Sequence, residues 1–379
     1  MATRARMNGW IAALALLLTP VTISAQSEAP IAAAEKLADW QLARLQDTTG
    51  MSHVFETADT RSWMRAAFWI GLSALADHDR SPRFRDAIVT MGKGNGWAAD
   101  DRPYHADSQA ILQVYLWAAQ NGAGPAARGP AKAKFDYILA NPPRTTLAFY
   151  TPPSGSGGTE CQTRWCWSDA LFMAPAGWIE LTRQTGDKRY ADFALSEFWA
   201  TTNFLYDPKE RFYYRDSRFF DRRDGEGHKL FWARGNGWVF AGLARIIPLL
   251  PKNSPDRVRM ENLFREMAAR LVAIQKPDGY WAPSLLAPEN SPPESSGTGF
   301  FTYGLAWGVK AGLLDRAAYE PAARKGWAAL TRAIQLDGRL GWVQQVSDQP
   351  DKVAASDTQF YGVGAFLLAA TAIADLDRR

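Results

Sequence analysis

Apolar and amphipathic segments alternate six times along the chain. Six segments start with polar or glycine-containing residues and continue as apolar, small-residue-rich helices: 63–75, 107–119, 169–181, 236–249, 298–313 and 357–373. Six more charged, amphipathic segments lie around and between them: 32–46, 82–91, 126–139, 188–202, 255–275 and 321–336. A helix that is apolar almost all round belongs inside other helices. The first set therefore predicts inner helices and the second set predicts outer ones.

The spacing of the repeats is that of helical hairpins joined by loops. Key residues near the starts of the inner segments lie 44, 62, 65, 64 and 59 residues apart: Trp63, Asp107, Asp169, Arg234, Thr298 and Asp357. A closed ring buries the inner helices and gathers their N-terminal ends at one mouth, whereas an open solenoid exposes its ends. We therefore predict an all-α fold, an (α/α)6 toroid of six hairpins, as a single domain over residues 26–379. Strand patterns are confined to 211–215 and 341–344.

The first 25 residues have the pattern of a signal peptide. Arg4 and Arg6 precede a short apolar run from Trp10 to Leu18, and small residues lead to a cleavage site near Ala25. A buried first helix is the alternative. The run is too short for a bilayer span, and no other stretch approaches that length. The sequence predicts a periplasmic or secreted protein that has no membrane association after signal cleavage.

Composition excludes several classes of function. With 43 Lys+Arg and 39 Asp+Glu, the net charge of +4 is too weak to indicate nucleic acid or acidic lipid as a partner. There is no GxSxG, P-loop or HExxH motif and no pair of CxxC motifs, so neither nucleotides nor catalytic metals are expected. The 16 Trp, 12 Tyr and 19 Phe are more rings than the core requires, and many should line a cleft. Cys161 and Cys166 are compatible with a local bridge or with two free thiols.

Carboxylates at the predicted helix starts are candidates for chemistry. In GGTECQTRWCWSDALFMAP (157–175), Asp169 follows Trp165 and Trp167 closely. A carboxyl group among indoles is desolvated, which favours the protonated form that a general acid needs. The alternative is that Asp169 caps its helix, which lowers the pKa instead. The same alternative applies to Asp107 and Asp357.

The segment WARGNGW (232–238) combines indoles, glycines and an arginine. Gly235 and Gly237 suggest a tight backbone bend, and Trp232 and Trp238 are expected to present ring faces to the C–H groups of a sugar. Arg234 is suited to forked binding of a carboxylate, with a structural ion pair as the alternative. Carboxylates, tryptophans and an arginine at one mouth indicate an acidic carbohydrate as ligand.

Four motifs, taken in order, resemble one family of carbohydrate enzymes: WCWSDALFMAPAGW (165–178), FWARGNGWVFAGL (231–243), SSGTGFFTYGLAWG (295–308) and SDTQFYGVGAFLLA (356–369). The chain is similar to glycoside hydrolase family 105, the unsaturated rhamnogalacturonyl hydrolases, from about residue 30 onward. These enzymes are related to the unsaturated glucuronyl hydrolases of family 88. The resemblance implies the (α/α)6 fold, no metal or other cofactor, and an acidic oligosaccharide substrate. It also implies release of a 4,5-unsaturated uronic acid from the non-reducing end of lyase products.

The resemblance also implies roles for individual residues. Asp169 matches the aspartate that protonates C4 of the vinyl ether and then activates water for attack at C5. Because this is hydration rather than displacement at the anomeric carbon, the carboxylate-spacing rules of ordinary glycosidases do not apply. Asp107 matches the second aspartate of the family. Trp232, Arg234 and Trp238 match residues that hold the unsaturated sugar.

Several assignments stay open at the level of sequence. Trp167 and His105 are expected to contact substrate, although a histidine beside a helix start often makes only structural hydrogen bonds. His228 receives no role. The next sugar is expected to be rhamnose of pectic rhamnogalacturonan, with sulfated rhamnose from ulvan as the alternative, decided by loops 141–160 and 216–229. The main competing function is another toroidal enzyme cutting saturated acidic polysaccharide, such as a glycosidase or uronate lyase, and a non-catalytic sugar-binding protein is a further alternative. The oligomeric state is also open.

Overall fold

A computed structural model describes residues 29–78, 82–149, 160–289 and 291–378, together with Met1. The predicted signal peptide lies outside the described residues, apart from Met1. The structure is mainly helical, and the helices fall into the predicted inner and outer sets. Whether the ring is closed depends on which inner helices contact each other.

The inner helices are α3 Trp63–His78, α5 Asp107–Ala118, the pair α7 Ala170–Met173 and α8 Pro175–Thr185, α10 Ala233–Ile246, α12 Ser295–Lys310 and α14 Phe360–Asp377. The outer helices are α1 Pro30–Leu42, α4 Arg83–Gly94, α6 Gly129–Ala140, α9 Lys188–Leu205, α11 Pro255–Ala273 and α13 Arg316–Arg332. A short helix, α2 Val54–Ala58, and a hairpin of β1 Tyr206–Asp207 and β2 Phe212–Tyr213 complete the named elements.

Contacts between neighbouring inner helices run continuously from α3 through α5, α7 and α8, α10 and α12 to α14, and α14 packs back against α3. Glycine permits this last contact, because a Cβ atom on Gly71 would lie 2.5 Å from the carbonyl oxygen of Gly364. A Cβ atom on Gly364 would in turn collide with the backbone of Ala67. The ring is therefore closed, and the predicted (α/α)6 toroid is confirmed.

The third inner helix differs from the prediction, because it is broken at Ala174. Pro175 has no N–H group to continue the helical hydrogen bonds, so α7 ends and α8 begins there. The side-chain amide of Gln113 donates to the carbonyl groups of Phe172 and Met173 at 2.9 and 2.8 Å. A polar side chain of the neighbouring inner helix therefore satisfies carbonyl groups at the break.

Other local predictions need correction. The helix α10 starts at Ala233, so Gly235 and Gly237 lie inside it and make no bend; Gly237 instead lets Phe300 approach closely. The predicted strand at 211–215 is present as Phe212–Tyr213, whereas 341–344 forms no strand. The expectation that no segment after the signal approaches membrane-spanning length also fails for α14. That helix is long and apolar enough, but 89% of its apolar window is buried inside the ring.

Candidate active site

The N-terminal ends of the inner helices meet at one mouth and carry the predicted carboxylates. Asp107 is the first residue of α5, Asp169 immediately precedes α7, and Trp232 immediately precedes α10. The negative charge of Asp107 raises the pKa of Asp169, so the two carboxyl groups lie within electrostatic range of each other. The fold brings together two acids that are 62 positions apart in the sequence.

Asp169 is 9% exposed and does not cap its helix. Its Oδ2 accepts a hydrogen bond from the Ser168 hydroxyl at 2.9 Å and lies 3.8 Å from Nε of Arg215. Burial raises the pKa of Asp169, while the charge of Arg215 and the Ser168 hydroxyl oppose that shift. The capping alternative is therefore wrong for Asp169, and its carboxyl group has the environment that favours retention of a proton.

Asp107 has a side chain that is 16% exposed and makes no capping bond. Burial raises its pKa to about 6, although Arg102 and Arg215 lie close enough to oppose the shift. Its Oδ2 is 3.6 Å from Nδ1 of His105. A carboxyl group with this pKa exchanges its proton close to neutral pH, as acid–base chemistry requires.

His105 acts here as a neutral neighbour. Burial, together with the charge of Arg102, lowers its pKa to about 3. The backbone N–H of Asp107 donates to Nδ1 at 3.3 Å, which assigns the ring proton to Nε2. The imidazole ring packs at 4.8 Å from the indole of Trp167. His105 therefore lies beside Asp107 and packs against Trp167, and the contact of both side chains with substrate stays a prediction.

Trp232 and Arg234 attach α10 to the loop that follows residue 340. Trp232 Nε1 donates to the side chain of Gln344 at 2.9 Å. Arg234 donates to the backbone carbonyls of Gln344 and Gln345 at 2.6 and 2.9 Å, with its guanidinium between the rings of Trp232 and Tyr361. The ion-pair alternative for Arg234 is wrong, because this fork binds carbonyl oxygens. Its buried charge lowers the pKa of Asp169, and its binding of substrate stays a prediction.

Trp238 requires a correction. It is fully buried and packs against Phe172 and Phe300, with ring centroids 4.8 and 4.3 Å away. Trp63 and Tyr361 complete this aromatic cluster. Packing of α10 against Phe172 and Phe300 turns Trp238 into the core. It therefore presents no ring face to a sugar at the mouth.

Asp357 also has a different place from the predicted helix cap. The helix α14 starts at Phe360, and Asp357 accepts a hydrogen bond from the backbone of Ala354 at 2.8 Å. Its carboxylate therefore stabilises a turn in the loop before α14.

Cys161 and Cys166 form a disulfide bond beside the Asp169 segment, which decides between the two states that the sequence allowed.

Sequence reasoning missed three arginines at the mouth, Arg102, Arg215 and Arg218. Arg215 lies between Asp169 and Asp216, and Arg218 pairs with Asp216 and with Asp348 at 2.8 and 2.7 Å. Arg102 and Arg218 each pair with an aspartate two positions away, Asp100 and Asp216, whereas Arg215 reaches Asp169 only through the fold. A cluster of arginines in otherwise apolar or aromatic loops, such as FYYRDSRFF (212–220), is the one signal that the sequence offered.

The mouth therefore combines buried carboxyl groups with fixed cations. Such a set can donate a proton near neutral pH and can attract an anionic substrate. Across the described ranges, no group of three or more His, Cys, Asp and Glu side chains is arranged to hold a metal ion.

Comparison with known proteins gives the family. The sequence profile described as Glycosyl Hydrolase Family 88 matches residues 33–376. A protein of Alteromonas sp. (strain LOR) named "Unsaturated 3S-rhamnoglycuronyl hydrolase" is 42% identical over 89% of this chain and 84% of its own length. A protein of the same name from Formosa agariphila is 37% identical over 86% of this chain and 87% of its own. A solved structure titled "Polysaccharide Lyase BACCELL_00875" is 28% identical, with a TM-score of 0.76, over 91% of this chain and 96% of its own.

Proposed function

Because the chain belongs to glycosyl hydrolase family 88, we propose that it releases a 4,5-unsaturated uronic acid from the non-reducing end of lyase-generated oligosaccharides. The observation that carries this proposal is the Asp169 carboxyl group, buried next to Asp107 and 3.8 Å from Arg215. A vinyl ether is hydrated after protonation of carbon, which requires an acid that still holds its proton near neutral pH.

In the proposed mechanism, Asp169 protonates C4 of the unsaturated ring. The same residue, now a carboxylate, takes a proton from the water that attacks C5. The hemiketal then opens and the aglycone leaves, so no displacement at the anomeric carbon is needed. Asp107 supports the proton transfers from a position where its own pKa is raised to about 6. Arg215 supplies a positive charge close to the position of the uronate carboxylate.

The substrate that we favour carries a sulfated rhamnose next to the unsaturated uronate. Two relatives, at 42% and 37% identity, are named for a 3S-rhamnoglycuronyl substrate, in which we read 3S as a 3-O-sulfate. This is the ulvan-type alternative of the sequence analysis, and the rhamnogalacturonan-type substrate is the one to test against it.

The test follows the ultraviolet absorbance of the conjugated double bond. Wild-type protein is incubated with unsaturated disaccharides from sulfated ulvan, rhamnogalacturonan and a glycosaminoglycan. We expect fastest loss of absorbance with the sulfated rhamnose substrate, and no loss with Asp169→Asn. Asp86→Asn is the matched control, because Asp86 lies on α4 with 66% of its side chain exposed. Activity of Asp169→Asn equal to wild type would exclude the mechanism.

A lyase is the second candidate function, because a solved structure with this fold and 28% identity bears that title. The same absorbance assay separates the two reactions. A lyase creates the double bond, so absorbance would rise when the protein is given a saturated uronate polysaccharide. A rise with saturated substrate, together with no change on unsaturated disaccharides, would replace the hydrolase proposal.

We also propose that the protein is exported to the periplasm or outside the cell. The basic, apolar and small-residue order of residues 1–25 supports this, as does the Cys161–Cys166 bond, because disulfides persist in oxidising compartments. Cell fractionation, with mass determination of the mature N-terminus, tests the proposal. Protein found in the cytosol with the first 25 residues intact would contradict it.

A further inference from the structure

A cavity lies at the end of the ring opposite to the mouth. It has a volume of about 460 Å³ and lies between α8 and the C-terminal parts of α3, α5, α10 and α12. Its lining includes Asp77, Trp117, Arg183, Arg245, Tyr303 and Trp307. The proposed hydrolase reaction uses none of these residues. The volume is within the range of small-ligand sites, which is roughly 300–1,000 Å³.

Arg245, in the last turn of α10, is the unusual residue in this cavity. Its guanidinium makes one hydrogen bond to a described residue, from a terminal nitrogen to Oε1 of Gln113 at 2.8 Å. Its Nε is buried without a partner. No described carboxylate lies within ion-pair distance, so the cation has no balancing charge in the part of the chain that the structure describes. A half-buried cation without an ion-pair partner favours an anionic ligand.

The position of this guanidinium is fixed by the break in the third inner helix. Gln113 uses both of its amide hydrogens on the carbonyls of Phe172 and Met173. Its remaining oxygen is therefore aimed at Arg245, and the amide cannot flip without losing two hydrogen bonds. Because Pro175 causes the break, the covalent sequence pre-organises Arg245 towards the cavity.

The surrounding side chains suit a polyhydroxylated ring that carries a negative group. Tyr303 is half-buried and its hydroxyl has no hydrogen bond to a described residue, while burial raises its pKa. The rings of Trp117 and Trp307 are also half-buried in the cavity wall, and the indole N–H of Trp117 donates to Asp77 at 3.1 Å. The other arginine of the lining, Arg183, is already paired with Glu180 at 3.0 Å.

We propose that this cavity binds a small anionic saccharide. Its carboxylate or sulfate group accepts hydrogen bonds from Arg245 and the Tyr303 hydroxyl, and its ring packs against Trp117 or Trp307. The competing role of Arg245 is purely structural, because a cation is favoured at the C-terminus of a helix such as α10. The two roles differ in whether a ligand is bound.

The test is isothermal titration calorimetry with D-glucuronate, inorganic sulfate and methyl glucoside as separate probes. Wild type, Arg245→Gln, Tyr303→Phe and the control Arg183→Gln are compared. We expect glucuronate to bind wild type and Arg183→Gln similarly, with at least about tenfold weaker binding to Arg245→Gln. Tyr303→Phe should weaken binding by a smaller factor. Turnover of the unsaturated disaccharide should be unchanged in all three variants, which separates this site from the mouth.

Three results would overturn the proposal. The first is equal binding of glucuronate to wild type and to Arg245→Gln, which would place the ligand elsewhere. The second is sulfate binding as tightly as glucuronate, which would remove the saccharide from the proposal. The third is the absence of glucuronate binding to wild type and to folded Tyr303→Phe at tens of millimolar, with Arg245→Gln only lowering the melting temperature. That last result would leave Arg245 with its structural role alone.

Discussion

Asp107→Asn should make the protein more stable at neutral pH while it damages activity. Burial raises the pKa of Asp107 from 3.8 to about 6, so the folded protein binds this proton more tightly than the unfolded chain does. The contribution of this group to the free energy of unfolding is fully present below about pH 4 and is lost as the pH rises through about 6. Each tenfold change in proton affinity corresponds to about 1.4 kcal/mol, so the ionised carboxylate costs the folded state up to about 3 kcal/mol above pH 6. Asparagine cannot ionise and avoids that cost.

The assay is urea unfolding of wild type and Asp107→Asn between about pH 4 and pH 8. We expect the variant to exceed wild type in free energy of unfolding by up to about 3 kcal/mol at pH 8, and the two to converge near pH 4. Asp86→Asn serves as the control, because that side chain is 66% exposed on an outer helix. A difference that stays constant with pH, or a variant less stable than wild type at pH 8, would refute the reasoning from burial.

Three further experiments with substitutions test the fold. Replacing both Cys161 and Cys166 by serine should lower the free energy of unfolding by about 2 kcal/mol, because a disulfide that closes so short a loop removes little entropy from the unfolded chain. Unfolding is measured under oxidising conditions, and an unchanged free energy of unfolding would contradict this prediction. Gly364→Ala should lower the free energy of unfolding by about 1–3 kcal/mol, because its Cβ atom would collide with the backbone of α3. The control Gly225→Ala has open space around the new Cβ atom and should leave the free energy of unfolding unchanged. Trp238→Phe should lower the melting temperature and leave KM within about twofold of wild type, because the indole is buried in the core. A rise in KM with an unchanged melting temperature would show that Trp238 binds the sugar.

The environment of the two carboxylates explains why stability and activity should oppose each other at the mouth. A helix-capping aspartate would have stabilised the protein through a lowered pKa. Instead, Asp107 and Asp169 make no capping bonds, and burial raises the pKa of both. Acid–base chemistry near neutral pH needs that arrangement, and the remainder of the ring has to supply the lost stability.

The sequence by itself determined the ring and the position of two carboxyl groups, Asp107 and Asp169, at its mouth. An inner helix must be apolar all round, whereas an outer helix needs an apolar face on one side only. The alternation of apolar segments, such as 63–75 and 107–119, with amphipathic ones can therefore be read from the sequence without coordinates. Asp169 and Asp107 were found because they stand next to helix starts, and helix starts share one mouth in a toroid. The break at Ala174 was not predicted, although its cause is local: Pro175 lacks the N–H group that continuation of the helix needs.

Only the tertiary structure decided which side chains meet. Arg215 reaches Asp169 across 46 positions of sequence, and Trp232 bonds to Gln344 across 112. The direction of Trp238 into the core depends on how α10 is rotated about its axis, and that rotation is set by packing against Phe172 and Phe300. Long-range contacts and helix rotation are properties of the packed core, so no local pattern of residues could specify them.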